Sequence, residues 1–288
     1  MIEALYIPPR IDVKSGLFEN QLLFEEKLAR DISLGKGMHC LDVGCGRGRV
    51  AAHMAELTGA FVTGINIEQS QIDTGNSNAR LKGLDHLVRV QYGNFNEPLN
   101  FPSNTFDAVY EIQALSLVSD TTYRSVLGEI YRVMKPGAKF SLLDWVTLTA
   151  FDHNNPSHAD RLRRVKPLLG AVNSPTTEDF VKALQQVGFV VSFTQIPSVA
   201  GEQWQFVDKI SKWFNSIGRT VRALVKLHLL GSFWGRLLDR FNEGADLLID
   251  GDREHLWTTV MQITAVKPPI KFVYIPEPAV TPHNVAAL

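Results

Sequence analysis

The sequence predicts an α/β fold, a doubly wound and mostly parallel seven-stranded sheet with a helical insertion before the last strand. Three observations predict it. From residue 39 to 146, short apolar runs alternate with amphipathic stretches, the pattern of a parallel sheet covered on both faces. A glycine-rich turn, LDVGCGRG at 41–48, joins the first run to a helical stretch, the junction at which such sheets bind ligands. Residues from about 200 to 250 read as helix without strands, ahead of one last apolar run.

Each element follows from its local pattern. Leu17, Phe24, Leu28 and Ile32 share one helical stripe, which predicts an amphipathic helix ahead of the sheet. HCLDVG (39–44) has the form of a buried strand ending at glycine, followed by a helix over 49–57. FVTGI (61–65) predicts a strand and 69–82 a helix closing near Gly83. VRVQY (88–92) and FDAVYEI (106–112) predict strands, then a helix at 121–133 that KPG stops. FSLLDWV (140–146) predicts a further buried strand. Thr176 and Asp179 have capping-box spacing before a helix that Gly188 ends, and FVVSFTQ (189–195) follows as a strand. LWTTVMQITAV (256–266) is the last strand. Pro268, Pro269, Pro276, Pro278 and Pro282 make the tail irregular. The expected organisation is an N-terminal helical segment at 1–35 and a ligand-binding core at 36–199. A helical lid with the last strand occupies 200–268, and a proline-rich tail 269–288.

Composition sets the bounds. A chain of 288 residues buries about three quarters of its surface, so no covalent staple is required. Hydrophobic residues at 45% and charged residues at 20% exclude wholesale disorder. A net charge of −1 argues against a nucleic-acid partner. Cys40 and Cys45 offer neither a disulfide framework nor a metal-ligand set, so no metal is expected and a reducing compartment fits. The first residues, MIEALYIPPRIDVK, do not have the form of a signal peptide, and no apolar stretch is long enough to span a bilayer. A cytoplasmic protein is the expectation.

The strongest chemical signal is the glycine loop. Gly44, Gly46 and Gly48 allow a tight turn and a close approach that a Cβ would prevent. The spacing is G-x-G-x-G, not the G-x-G-x-x-G of a dinucleotide site. Such a turn suits a ligand lying alongside it with amino and carboxylate groups, and Asp42 can pair with an amino group or with loop amides. A merely tight strand-to-helix turn is the plain alternative. Asn66 ends the second strand where a ribose is usually read, with Glu68 two positions on. Gly93-Asn94-Phe95 follows the third strand and can offer an amide and a ring to an adenine.

Taken together, LDVGCGRG, GINIEQSQI, FDAVYEIQA, EIYRVMKPGAKF and LDWVTLTAFDHNNPSHAD resemble the S-adenosylmethionine-dependent C-methyltransferases related to sterol 24-C-methyltransferase. The resemblance runs from about residue 15 to 195, with weaker similarity to about 268. It implies a Rossmann-like methyltransferase core and S-adenosylmethionine as cofactor. By the same resemblance Asp42, Gly44 and Gly46 hold the methionine end, Asn66 and Gln71 lie at ribose and methionine, and Asn94 and Phe95 lie near the adenine; Gly48 is a further cofactor-binding candidate. Glu111 is a further candidate contact to the cofactor. The family tends to carry Glu where this chain has Gln113 and His where it has Leu117, and MIEALYIPPRIDVK does not resemble the family's aromatic-rich upstream stretch.

Methylating an alkene carbon leaves a carbocation, which needs ring faces and a base to remove a proton. Glu111, Asp152, His153 and His158 are the ionisable candidates, and Tyr110, Trp145 and Phe151 the candidate rings. Glu111, His153 and Tyr110 form the expected catalytic set. Strand alternation puts Glu111 on the opposite face from Tyr110. The plain alternatives are a salt bridge for Glu111, a solvated turn for His153 within DHNNP, and core packing for Trp145.

Between 209 and 240 lie Lys209, Lys212, Arg219, Arg222, Lys226, Arg236 and Arg240, interleaved with Trp213, Phe214, Phe233, Trp234 and leucines. A helical subdomain with one packed and one solvated basic face explains this pattern. So does a lid over a lipophilic pocket that rests on an anionic membrane surface. Arg161, Arg163, Arg164 and Lys166 could instead help hold an anionic group of the substrate. The expected partner is a lipophilic small molecule, sterol-like, terpenoid or polyketide; peripheral membrane contact and a homodimer stay open. Two functional readings remain: methyl transfer to carbon, or a methyltransferase-fold protein that does not methylate and instead cyclises a lipophilic substrate or only binds a ligand.

Overall fold

The structure, a computed structural model, describes residues 6–269. Pro276, Pro278 and Pro282, and the side chains of Trp213, Phe214 and Arg240, lie outside the described residues. The elements run α1 (Leu17–Asp31), β1 (His39–Val43), α2 (Arg49–Thr58), β2 (Phe61–Asn66), α3 (Gln69–Leu81), β3 (Val88–Tyr92) and β4 (Phe106–Ile112). They continue with α4 (Asp120–Val133), β5 (Met134–Thr147), α5 (Pro156–Leu169), α6 (Thr177–Val187), β6 (Val190–Gln195), α7 (Trp204–Lys226), α8 (Ser232–Arg253) and β7 (Trp257–Val266).

The seven strands form one sheet in the order β3-β2-β1-β4-β5-β7-β6. All pairings from β3 to β5 are parallel, and β7 runs antiparallel to both its neighbours. The mostly parallel, doubly wound sheet expected from the sequence is therefore present. Alternation along each central strand loads both faces. Leu41, Val43 and Val109 pack with α4 and α6 through Leu127, Ile130, Phe180 and Leu184. Cys40, Ala108 and Tyr110 pack on the other face with α1 and α2 through Phe24, Leu28, Met54 and Ala55.

Three features differ from the expected organisation. Helix α5 was not expected, because a single residue of it, Val165, is buried and no apolar stripe marks it. Its signals were chemical instead: Asn155 accepts from Ser157 N at 2.9 Å, Pro156 opens the first turn and Gly170 closes the last with φ 69°. Strand β5 begins at Met134, so Lys135-Pro136-Gly137 belongs to the strand, where the register to β4 shifts between Phe106 and Ala108. Proline lacks a ladder donor and is tolerated at that irregularity. Finally, the last strand, β7, enters the sheet between β5 and β6, antiparallel to both, an order the sequence had left open. The N-terminal helix likewise packs into the core cluster rather than standing apart from it.

Candidate active site

Strand order reverses between β1 and β4, which are neighbours although β2 and β3 intervene in sequence. Loops leaving the carboxyl ends of such strands part to opposite faces and open a crevice. Here the crevice is a cavity of about 340 Å³ lined on one side by Asp42, Gly44, Cys45 and Gly46 from the glycine loop. Ile112, Gln113, Ser116 and Leu117 after β4, Asp144 and Trp145 on β5, Leu169, Thr259 and Tyr6 complete it.

The loop turns through left-handed backbone at Gly44, Gly46 and Gly48, with φ of 79°, 54° and 69°. A Cβ on Gly44 would stand 2.5 Å from that of Ala114, so the approach of this loop to the β4 loop requires glycine. Asn66 Nδ2 donates to Gly46 O at 2.8 Å and to Gln71 Oε1 at 3.1 Å, tying the end of β2 to the loop. Phe95 packs against the core cluster, its Cζ 3.6 Å from where that Gly44 Cβ would stand. Asn94 turns to Glu97 Oε1 at 2.8 Å and caps its own loop by accepting from Asn96 N. Glu68 caps α3 by accepting from Ser70 N.

Asp42 is almost fully buried, and burial pushes its carboxyl from an ordinary 3.8 up to about 7, against the pull of the hydrogen bond from Tyr110. Two of the lining residues, Trp145 and Thr259, each keep a buried polar atom, Nε1 and Oγ1, without a hydrogen-bond partner among the described residues.

The three expected catalytic residues are not brought together. Tyr110 is wholly buried on the α1–α2 face, its hydroxyl donating to Asp42 Oδ2 at 2.9 Å. Glu111 points to the opposite face, where one carboxyl oxygen accepts from Ala114 N and from Leu115 N, capping the turn after β4. Neither lines the cavity. Burial and the neighbouring Asp144 charge push Glu111 well above the usual carboxylate range. Its second oxygen has no donor, which a proton held between Glu111 and Asp144 would satisfy. His153 lies in a separate hollow with Phe151, Leu162, Arg163 and Lys166, its ring edge-on to Phe151 at 4.8 Å. The turn after β5 carries it there.

Sequence reasoning missed Tyr6, Asp144, Ser116, Leu169 and Thr259, which arrive from five separate parts of the chain. Tyr6 is held by Glu25, a fully buried carboxylate on α1 that accepts from Tyr6 Oη at 3.0 Å. Glu25 also binds Arg49 of α2 and lies 2.7 Å from His53 Nδ1. Burial and Glu25 together push the Tyr6 phenol up. Gln113, with φ 53°, donates through Nε2 to Ile7 O at 3.0 Å and Thr259 O at 2.8 Å. A glutamate there has no proton to donate once ionised. The amide that stands where the family tends to carry an acid thus joins the N-terminal segment to β7.

Comparison with known proteins agrees with this architecture. Residues 40–137 match the family model for a methyltransferase domain. Sterol 24-C-methyltransferase of Yarrowia lipolytica is 32% identical over 266 residues, covering 85% of this chain and 68% of that protein. Botryococcene C-methyltransferase of Botryococcus braunii is 30% identical over 255 residues, covering 86% and 66%. Among solved structures, the 4+2 cyclase SpnF superposes with a TM-score of 0.69 at 22% identity, covering 93% of this chain and 88% of that one. At that identity the likeness concerns the fold. With a methyltransferase core, this sheet order and a close relative along most of its length, the chain belongs to the sterol 24-C-methyltransferase family of S-adenosylmethionine-dependent methyltransferases.

Proposed function

We propose that the protein transfers a methyl group from S-adenosylmethionine to a carbon of a lipophilic small molecule. The observation that carries this reading is the two-sided cavity: a glycine loop with Asp42 faces an apolar side built by Ile112, Leu117, Trp145 and Leu169. The residues fit the cofactor. Only glycine can occupy position 44, and Asp42 offers the amino group of a methionine moiety an anionic partner once ionised. When bound, S-adenosylmethionine supplies an electrophilic methyl on a sulfonium.

The chain's own residues then have distinct tasks. Gly44, Gly46 and Gly48 let the backbone approach the methionine moiety, while Asn66 and Gln71 orient the loop and serve the ribose. Asn94 and Phe95 border the adenine side. Tyr110 positions Asp42, and Glu111 positions Asp144 at the cavity. The Trp145 ring and the Asp144 carboxylate stabilise positive charge that develops on an alkene acceptor, and excluded water strengthens both effects. His153, in its separate hollow, contributes no contact to this site.

A second reading, cyclisation without methyl transfer, is favoured by one observation: the side chain of Gln113 is occupied by Ile7 and Thr259. Incubation with methyl-labelled S-adenosylmethionine decides between them. The acceptors are a sterol with a side-chain double bond, an acyclic triterpene and an isoprenyl diphosphate. Label in the organic extract with equimolar S-adenosylhomocysteine supports methyl transfer. Acceptor conversion without S-adenosylhomocysteine supports cyclisation, and no cofactor binding by calorimetry overturns the methyl-transfer reading.

A further inference from the structure

Helices α7 and α8 form a hairpin whose base is fastened to the sheet and whose tip is bare. At the base, the buried Asp252 carboxylate accepts from Gln203 N at 2.8 Å and Trp204 N at 2.9 Å, capping α7. Arg253 lies 4.0 Å over the Trp204 ring, and Thr258 at the start of β7 donates to Gln203. The helices are tied along their length by Arg222 and Asp239 at 2.7 Å.

The tip behaves differently. Helix α7 closes at His228 in the left-handed conformation, φ 58°, and the chain reverses within residues 227–231. Leu227 is 66% exposed, Leu229 68%, Phe233 58% and Trp234 49%, with Leu237 one turn further along. The Phe233 and Trp234 rings contact each other edge to face at 5.9 Å, and both remain open to solvent. Large apolar side chains clustered on a surface in this way mark an interaction site. Next to them in the chain stand Lys226 and Arg236, both exposed and neither with an acidic partner among the described residues.

We infer that this hairpin tip is an interfacial anchor that seats its leucine and aromatic side chains in the surface of a bilayer containing anionic lipid. Apolar and aromatic side chains enter the boundary between headgroups and acyl chains, while neighbouring lysine and arginine meet the headgroup charge. Among the described residues no helix is long and apolar enough to cross a membrane, so the contact is with one face of the bilayer. A second copy of the chain is the poorer occupant, because a two-fold contact through this tip would set the same unpaired cations against each other. The inference is independent of methyl transfer, since it requires no cofactor or substrate.

The test is co-sedimentation of the full chain with phosphatidylcholine vesicles, with and without phosphatidylserine. The full chain pellets with the phosphatidylserine vesicles and is released by high salt. The double variant Phe233→Ser, Trp234→Ser loses roughly tenfold or more in partitioning, as burial of two such rings requires. Lys226→Glu with Arg236→Glu loses the preference for phosphatidylserine. All variants keep full S-adenosylhomocysteine binding by calorimetry, which reports an intact fold if the cofactor assignment holds, and a cooperative thermal transition reports it otherwise. Full chain left in the supernatant with both vesicles, equal binding to phosphatidylcholine alone, or unchanged binding by the variants overturns the inference. So does a concentration-dependent dimer that the Phe233, Trp234 variant abolishes without any vesicle binding.

Discussion

The hydroxyl of Tyr110 donates to Oδ2 of Asp42 at 2.9 Å, between directly paired positions on β1 and β4, with both side chains buried. Burial holds the Asp42 carboxyl near 7, and Tyr110 restrains it from rising further. In the ligand-free protein the raised carboxyl stabilises the fold fully below its ordinary 3.8, and that contribution is lost as pH rises through about 7. Stability followed by thermal unfolding between about pH 4 and 7 falls less steeply with pH in Asp42→Asn than in the parent.

Cofactor binding has the opposite slope. In the proposed contact an ammonium group pairs with the ionised form of Asp42, so affinity for S-adenosylhomocysteine is expected to rise with pH and level off above about 7. Below that point each pH unit costs roughly tenfold in affinity. Tyr110→Phe removes the donor that favours the anion and moves the midpoint to higher pH, whereas Asp42→Asn lowers affinity and flattens the profile. Calorimetry across this range checks both, and a flat parental profile would remove Asp42 from the cofactor site.

At the glycine loop, Gly44→Ala forces a Cβ into Ala114 on backbone of φ 79°. The expected cost is about 1–3 kcal/mol in urea unfolding, with loss of S-adenosylhomocysteine binding. Adding Ala114→Gly removes the clash and recovers part of both, which a double-mutant cycle measures. Gly46→Val abolishes cofactor binding while the protein still folds.

Gln113→Glu places an acid where its relatives tend to have one, yet here it removes two donated hydrogen bonds. Ionised, it sets a carboxylate against the carbonyl oxygens of Ile7 and Thr259. Stability falls by about 1–3 kcal/mol, and by more at pH 8 than at about pH 5. Unchanged urea midpoints at both pH values would show that the side chain is not needed to hold the N-terminal segment.

Glu25→Gln leaves the α1–α2 interface without its anion, since Arg49 and His53 both turn to that carboxylate. Removing one partner from a buried ion pair costs on the order of 3 kcal/mol. Tyr6 exchanges a charged acceptor for an amide oxygen in the same variant and keeps the Gln21 carbonyl, so its hold weakens and cofactor affinity drops with stability. Tyr6→Phe, which keeps the ion pair, has the smaller effect on unfolding.

The chain's local chemistry was legible in proportion to how local its cause was. Asn155-Pro156 and Gly170 bounded a helix that apolar periodicity could not reveal, because α5 buries little beyond Val165. The capping box of Thr176 and Asp179 is present as its spacing predicts. Strand alternation correctly separated Tyr110 from Glu111, and that same alternation turns both away from the cavity they were expected to line.

By itself the sequence determined the seven strands, the helices between them other than α5, the glycine turn and the family resemblance, because propensity, caps and periodicity act over a few neighbouring residues. Only the tertiary structure decided that β7 enters between β5 and β6, bringing Thr259 to the cavity. It also decided that Tyr6 reaches the glycine loop through Glu25 and that Glu111 meets Asp144. These contacts join residues that no local rule relates: their partners are chosen by sheet order and by the burial of charge, and both exist only once the whole sheet has formed.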